Sequence, residues 1–114
     1  MKRAFVFLAA LAIPAAAFAH HGWSSYDTEK VLQIDARLAS VSWANPHGTA
    51  TMNWRGGTWR VILAPVARME ARGLSSAMIA PGKPIRLVGY ARKDGTREMR
   101  IERVIAGGKT VELR

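Results

Sequence analysis

Three histidines are the residues of this chain best suited to hold a ligand: His20 and His21, side by side in AFAHHGW, and His47 in NPHG. The pair follows an apolar run ending in Ala17, Phe18 and Ala19, the small-x-small pattern at which signal peptidase cuts. A cut after Ala19 makes His20 the first residue and frees its α-amine. That amine and the same residue's imidazole chelate one ion, and an imidazole from elsewhere adds a third nitrogen. Such a nitrogen-rich set, a histidine brace, suits Cu(II), which tops the affinity order of the divalent metals. His47 is the natural third donor. His21 offers a competing route through the amine, the intervening amide nitrogen and the second imidazole. The plain alternative is a polar chain end without a role. A cut after Ala17 would put Phe18 first and abolish the brace.

The surroundings of His47 have a structural reading of their own. Asn45, Pro46 and Gly48 are favoured residues of a type I turn, which would leave His47 at a loop tip where ligand-binding side chains can sit. The arginines suggest a different chemistry. Arg86, Arg92, Arg97 and Arg100 occupy outward positions of the last two predicted strands, and together they would make an anion-binding stripe. A solvated basic face is the plain reading of the same residues. Trp43, Trp54 and Trp59 fall on inward faces and read as core. Trp23 lies outside that pattern and would pin the N-terminal segment, and with it His20 and His21, to the domain. No paired carboxylates share an apolar face, no glycine-rich phosphate loop follows a strand, and nothing activates Ser24 or Ser25. The chain therefore reads as a binding protein and not as an enzyme.

Length and charge narrow the setting. The chain has 114 residues, a formal net charge of +9 and no cysteine. MKR, the uncharged run from Ala4 to Phe18 and the Ala17–Ala19 cut site form a cleavable signal peptide over residues 1–19, which implies a periplasmic protein. The run is too short for a comfortable membrane span and Pro14 interrupts it. No membrane span is therefore expected after cleavage. Losing Lys2 and Arg3 leaves fifteen Lys and Arg against eight Asp and Glu. That excess points to an anionic ligand or an exported protein partner, since an exported chain rarely meets nucleic acid. Without cysteine there is neither disulfide nor thiolate zinc site.

Residues 20–30 read as an irregular N-terminal segment and residues 31–114 as one small domain. Leu32, Ile34, Ala36 and Leu38 alternate on one face, then the phase flips to Val41 and Trp43, as in a long bulged strand. Two alternating runs around the GG at 56–57 predict a hairpin. PVARMEARG predicts a short helix with Pro65 at its start and Gly73 just past its end. IRLVGYAR and the run from Arg97, with a slip near Arg103–Val104, predict two more strands. Strand, strand, strand, short helix, strand, strand is the order of an OB-like barrel, an all-β fold of five strands with little helix. Other small barrels and sandwiches share much of this pattern.

AHHGW, YDTEK, WANPH and APVARMEARG…PGKPIRLVGYARKDGTREMR together resemble a family of small exported bacterial proteins of unknown function. In that family a histidine pair and a tryptophan follow the signal peptide, and an Asn-Pro-His turn follows the first strand. The matching positions are His20, His21, Gly22, Trp23, Asp27, Trp43, Asn45, Pro46, His47, Gly82 and Gly95. The resemblance implies a periplasmic β-barrel and groups the histidines as a unit without naming what they bind.

Overall fold

The computed structural model describes residues 22–114. The predicted signal peptide, His20 and His21 lie outside the described residues. A 3-10 turn, Trp23–Ser25, opens the described chain. Four strands follow, β1 (Leu32–Ala36), β2 (Ser40–Ser42), β3 (Thr49–Trp54) and β4 (Gly57–Ile62). Helix α1 (Val66–Ala71) and a second 3-10 turn (Ser76–Ile79) come next. The chain closes with β5 (Ile85–Ala91), β6 (Glu98–Ala106) and β7 (Lys109–Glu112).

The strands form one sheet in the order β1-β5-β6-β4-β3-β2, with β7 also paired to β6. Every pair is antiparallel except β4 with β6. Chain connectivity makes this sheet curl. Its two extremes, β1 and β2, are consecutive strands with only residues 37–39 between them. Laid flat, six strands would separate those extremes by about 24 Å, at ~4.8 Å per step. The link from Ala36 to Ser40 reaches about 14 Å at most. The sheet therefore bends round on itself as a partial barrel, and the Ala39 N–H already donates to the Thr51 carbonyl at 2.8 Å.

Seven short strands replace the five expected. The expected phase flip divides the first strand in two, and a turn at Gly107–Gly108 separates β7 from β6. The slip expected near Arg103–Val104 is a bulge at Glu102. Val88 pairs with Arg103 and Gly89 with Ile101, which leaves Glu102 as the extra residue. Gly89 is required there, because a Cβ on it would overlap the carbonyl oxygen of Arg100. The hairpin turn is Arg55–Gly56, with Gly57 already paired to Trp54.

Alternation decides the core. Val61, Met69, Leu87, Met99 and Val104 are each 0% exposed. The tryptophans are less deep than expected. Trp43, Trp54 and Trp59 are half-buried, and Trp54 meets Trp59 edge to face at 4.9 Å where the β3–β4 hairpin leaves the core. Helix α1 buries Met69, and Gly73 follows it at φ 91°, in the left-handed region that ends helices cheaply only for glycine. Its arginines reach the C-terminal strand. Arg68 donates to the Leu113 carbonyl at 3.0 Å, and Arg72 donates to the carbonyls of Glu112 and Arg114 at 2.8 and 2.9 Å. No helix among the described residues is long and apolar enough to cross a membrane.

Candidate functional site

A cavity of about 320 Å³ gathers His47, Arg60, Arg92, Glu98 and Arg100, with Tyr26, Pro46, Thr49 and Ile62 completing its wall. Its floor is the parallel pair of β4 and β6. Arg60 sits beside Glu98 and Ile62 beside Arg100, while Val61 and Met99 between them point into the core. Alternation thus puts Arg60, Ile62, Glu98 and Arg100 on the outer face of the sheet.

A strap formed by residues 23–28 covers part of that face. Tyr26 pairs with Arg92 as an isolated bridge. The Asp27 N–H donates to the Ala91 carbonyl at 2.8 Å and the Lys93 N–H to the Ser25 carbonyl at 3.0 Å. Tyr26 is 4% exposed and its hydroxyl donates to Glu98 Oε2 at 2.7 Å. Burial, reinforced by that carboxylate, pushes the Tyr26 phenol up to about 12. Trp23 meets Tyr90 edge to face at 6.0 Å. The guanidinium carbons of Arg100 and Arg114 lie 4.4 and 4.6 Å from the Trp23 ring centre.

His47 enters from the other side. The Asn45–Pro46 bond is cis and the segment is a bend, not the expected type I turn. Nor is His47 at a loop tip. Gly48 exchanges hydrogen bonds at 2.9 Å with Leu63 and Ala64, which extends the β3–β4 ladder by a residue and leaves His47 half-buried at the entry to β3. Burial holds its pKa below the ordinary 6.5, and the positive charges of Arg100 and Arg68 push the same way.

The cations of the cavity are unequally satisfied. Glu98 accepts from Tyr26 and from Arg92 at 3.3 Å, and Arg60 lies 3.9 Å away. Arg92 also donates to Asp94, and those contacts hold the Asp94 carboxyl well below the usual range. The Arg100 guanidinium has neither hydrogen bond nor ion pair among the described residues. It is half-buried, and burial is the main cause that lowers its pKa, with repulsion from Arg68 and Arg114 adding to it.

Of the residues singled out from the sequence, the structure brings together His47, Arg92 and Arg100. Arg86 is elsewhere, at the far end of β5, paired with Asp35 across to β1 at 2.9 Å. The Arg97 side chain lies against Gly57 at the β3–β4 turn. The four arginines therefore form no single stripe. Among the described residues no three His, Asp or Glu side chains are grouped as metal ligands. Arg60, Tyr26 and Glu98 belong to the cavity but were not legible as such. Arg60 had the right outward phase, whereas nothing in YDTEK marked Tyr26 as a wall.

A second cavity, about 720 Å³, opens between β1, the end of β3, the start of β5 and the β6–β7 turn. Ile34, Met52 and Ile85 line its floor and Arg37, Asn53 and Arg86 its rim.

The chain belongs to a family of unknown function (DUF6152), whose model matches residues 8–100. No curated protein matches the chain.

Proposed function

Within this family, we propose that the chain is an exported, OB-like binding module that holds a small oxyanion in the cavity around Arg100. The observation that carries this reading is the guanidinium of Arg100, half-buried and without an acceptor among the described residues. A charge taken partly out of water is costly unless something pairs with it. At 4 Å an anion would gain about 4 kcal/mol of Coulomb attraction per unit charge at an effective dielectric of 20, before its own desolvation. Arg60, Arg92 and Arg100 stand against Glu98 on the cavity wall and Asp94, which also engages Arg92, so one positive charge is left in excess. A volume of 320 Å³ holds about ten waters, enough for an oxyanion carrying a small organic group.

Three features support the OB-like barrel. β1 and β2 act as one bent strand that touches both ends of the strand order. The strands before and after the helix close through the parallel β4–β6 pair. The cavity is lined by the β3–β4 face, the segment before β3 and the segment after β5, and OB-folds bind ligands on the equivalent surface. The leader supports export to the periplasm.

A second reading has an observation of its own. The lowered pKa of His47 favours the neutral form that ligates metals, and Trp23 lies against Arg100. Three residues span at most about 11 Å, so a mature His20 would be tethered close to this cavity. Cu(II) bound by the His20 amine and imidazole, with His47 or His21, is the metal reading. It has to overcome repulsion by the same guanidiniums that favour an anion.

Calorimetric titration with inorganic phosphate tests the first reading. Binding that weakens about tenfold in Arg100→Gln is expected, the loss of one charge-assisted hydrogen bond. Phosphate binding indifferent to Arg100 would refute it. The metal reading is tested on protein exported and processed by a bacterial host. It stands if intact mass begins at His20 and a nitrogen-rich Cu(II) paramagnetic resonance signal disappears in His47→Ala, and it fails if the mass or the signal disagrees.

A further inference from the structure

Arg100 is placed by a residue that lines no wall of the cavity. Its guanidinium lies over the ring of Trp23, which also carries Arg114. Repulsion from Arg68 and Arg114 would by itself send the Arg100 side chain outward to water. A guanidinium is drawn to the face of an indole, more strongly as water is excluded. That attraction opposes the repulsion and keeps the side chain beside His47.

We propose that Trp23 is a positioning residue of the anion site, and that docking of the strap and occupation of the cavity are one coupled equilibrium. The inference rests on the anion reading. Tyr26 lines the cavity and donates to Glu98 from the same strap, three residues from Trp23. An anion that draws on Arg100 therefore bears on the strap at Trp23 and at Tyr26. Coupling is reciprocal, so an anion that binds better to the docked form must tighten docking by the same factor.

The test compares phosphate titrations of the wild type, Trp23→Phe, Trp23→Leu and Arg100→Gln, with amide exchange of residues 23–28 followed with and without phosphate. Trp23→Leu should weaken phosphate about fivefold. Trp23→Phe keeps an aromatic face and should lose about twofold or less. The tryptophan emission change on adding phosphate should vanish in Trp23→Phe although Trp43, Trp54 and Trp59 remain. Phosphate should slow exchange at Tyr26 and Asp27. Should Trp23→Leu prove unstable, Arg114→Ala serves instead. Freed of its neighbour's repulsion, Arg100 should then sit more firmly on Trp23 and phosphate affinity should hold or rise. Wild-type affinity in Trp23→Leu, an emission change that survives in Trp23→Phe, or exchange in the strap indifferent to phosphate overturns the positioning role alone. Equal affinity in the wild type and Arg100→Gln, or no binding by the wild type, overturns the anion reading beneath it.

Discussion

The cavity beside Arg86 and the cavity around Arg100 rank in opposite order by volume and by unsatisfied charge. The larger, near 720 Å³, has an apolar floor and a rim whose charges are already engaged. Arg86 holds Asp35 at 2.9 Å and Arg37 donates to the Gly82 carbonyl at 2.6 Å. The smaller, near 320 Å³, contains a half-buried guanidinium with no acceptor among the described residues and a histidine whose pKa its surroundings lower. Both arginines at issue, Arg86 and Arg100, lie at outward positions of neighbouring strands. They differ in what stands across from them: Asp35 on β1 for one, the strap and its tryptophan for the other. Volume measures room, while an uncompensated charge measures readiness to bind.

Substitutions can break this contrast or sharpen it. Gly89→Ala should have the largest effect. Its methyl group would push against the Arg100 carbonyl, and the strain should cost about 1–3 kcal/mol in a denaturant midpoint. Phosphate binding should fall with it, while the larger cavity's rim keeps its Asp35–Arg86 pair. A Gly89→Ala protein with unchanged stability would contradict the close approach of β5 and β6. Next comes Glu98→Gln. Tyr26 and Arg92 would lose a charged acceptor, at about 1–2 kcal/mol of stability. Calorimetry should nevertheless show tighter phosphate binding, because the one carboxylate of the cavity is gone.

Acid should act on the small cavity in two opposite ways. The pKa of His47 lies below its ordinary 6.5 in the folded chain. The unfolded chain therefore takes up its proton first as pH falls. This share of stability is present above pH 6.5, is lost as pH drops through that value, and stops falling below the folded-state pKa. Sulfate affinity should rise over the same interval, since a protonated His47 adds a charge beside Arg100. Melting curves and sulfate titrations of His47→Asn should lack both trends, and a wild type without them would show that His47 does not titrate there. Arg86→Gln should have the smallest effect, under about 1 kcal/mol for an exposed ion pair and none on phosphate. A phosphate loss as large as that of Arg100→Gln would erase the distinction between the two sites.

Much of the fold was written in local pattern. The alternation of Leu32, Ile34 and Leu38 and its flip to Val41 marked the bend at residues 37–39. The glycine after Arg72 marked the end of α1. The slip in the last long strand was visible within two residues of the bulge at Glu102. The cavity was not visible in that way, because period-two alternation says which face a residue takes and not what covers the face. Arg86 and Arg100 had the same outward phase, and only strand pairing gave one of them an aspartate. His47 stood out by residue type, but its depth depends on Gly48 extending the ladder to Ala64. Arg60 and Glu98 are far apart in sequence and meet through the parallel pair, a contact no local spacing encodes.

The grip of α1 on the C-terminal strand reaches beyond packing. The Leu113 N–H is given inward to Glu102 at 2.7 Å, so by strand alternation the carbonyls of Glu112 and Arg114 face away from β6. Those outward carbonyls are the groups a stray strand from another molecule would seize first. The guanidinium of Arg72 occupies both of them. A single side chain thus occupies two carbonyls beside β7 with which a strand of another copy could otherwise pair.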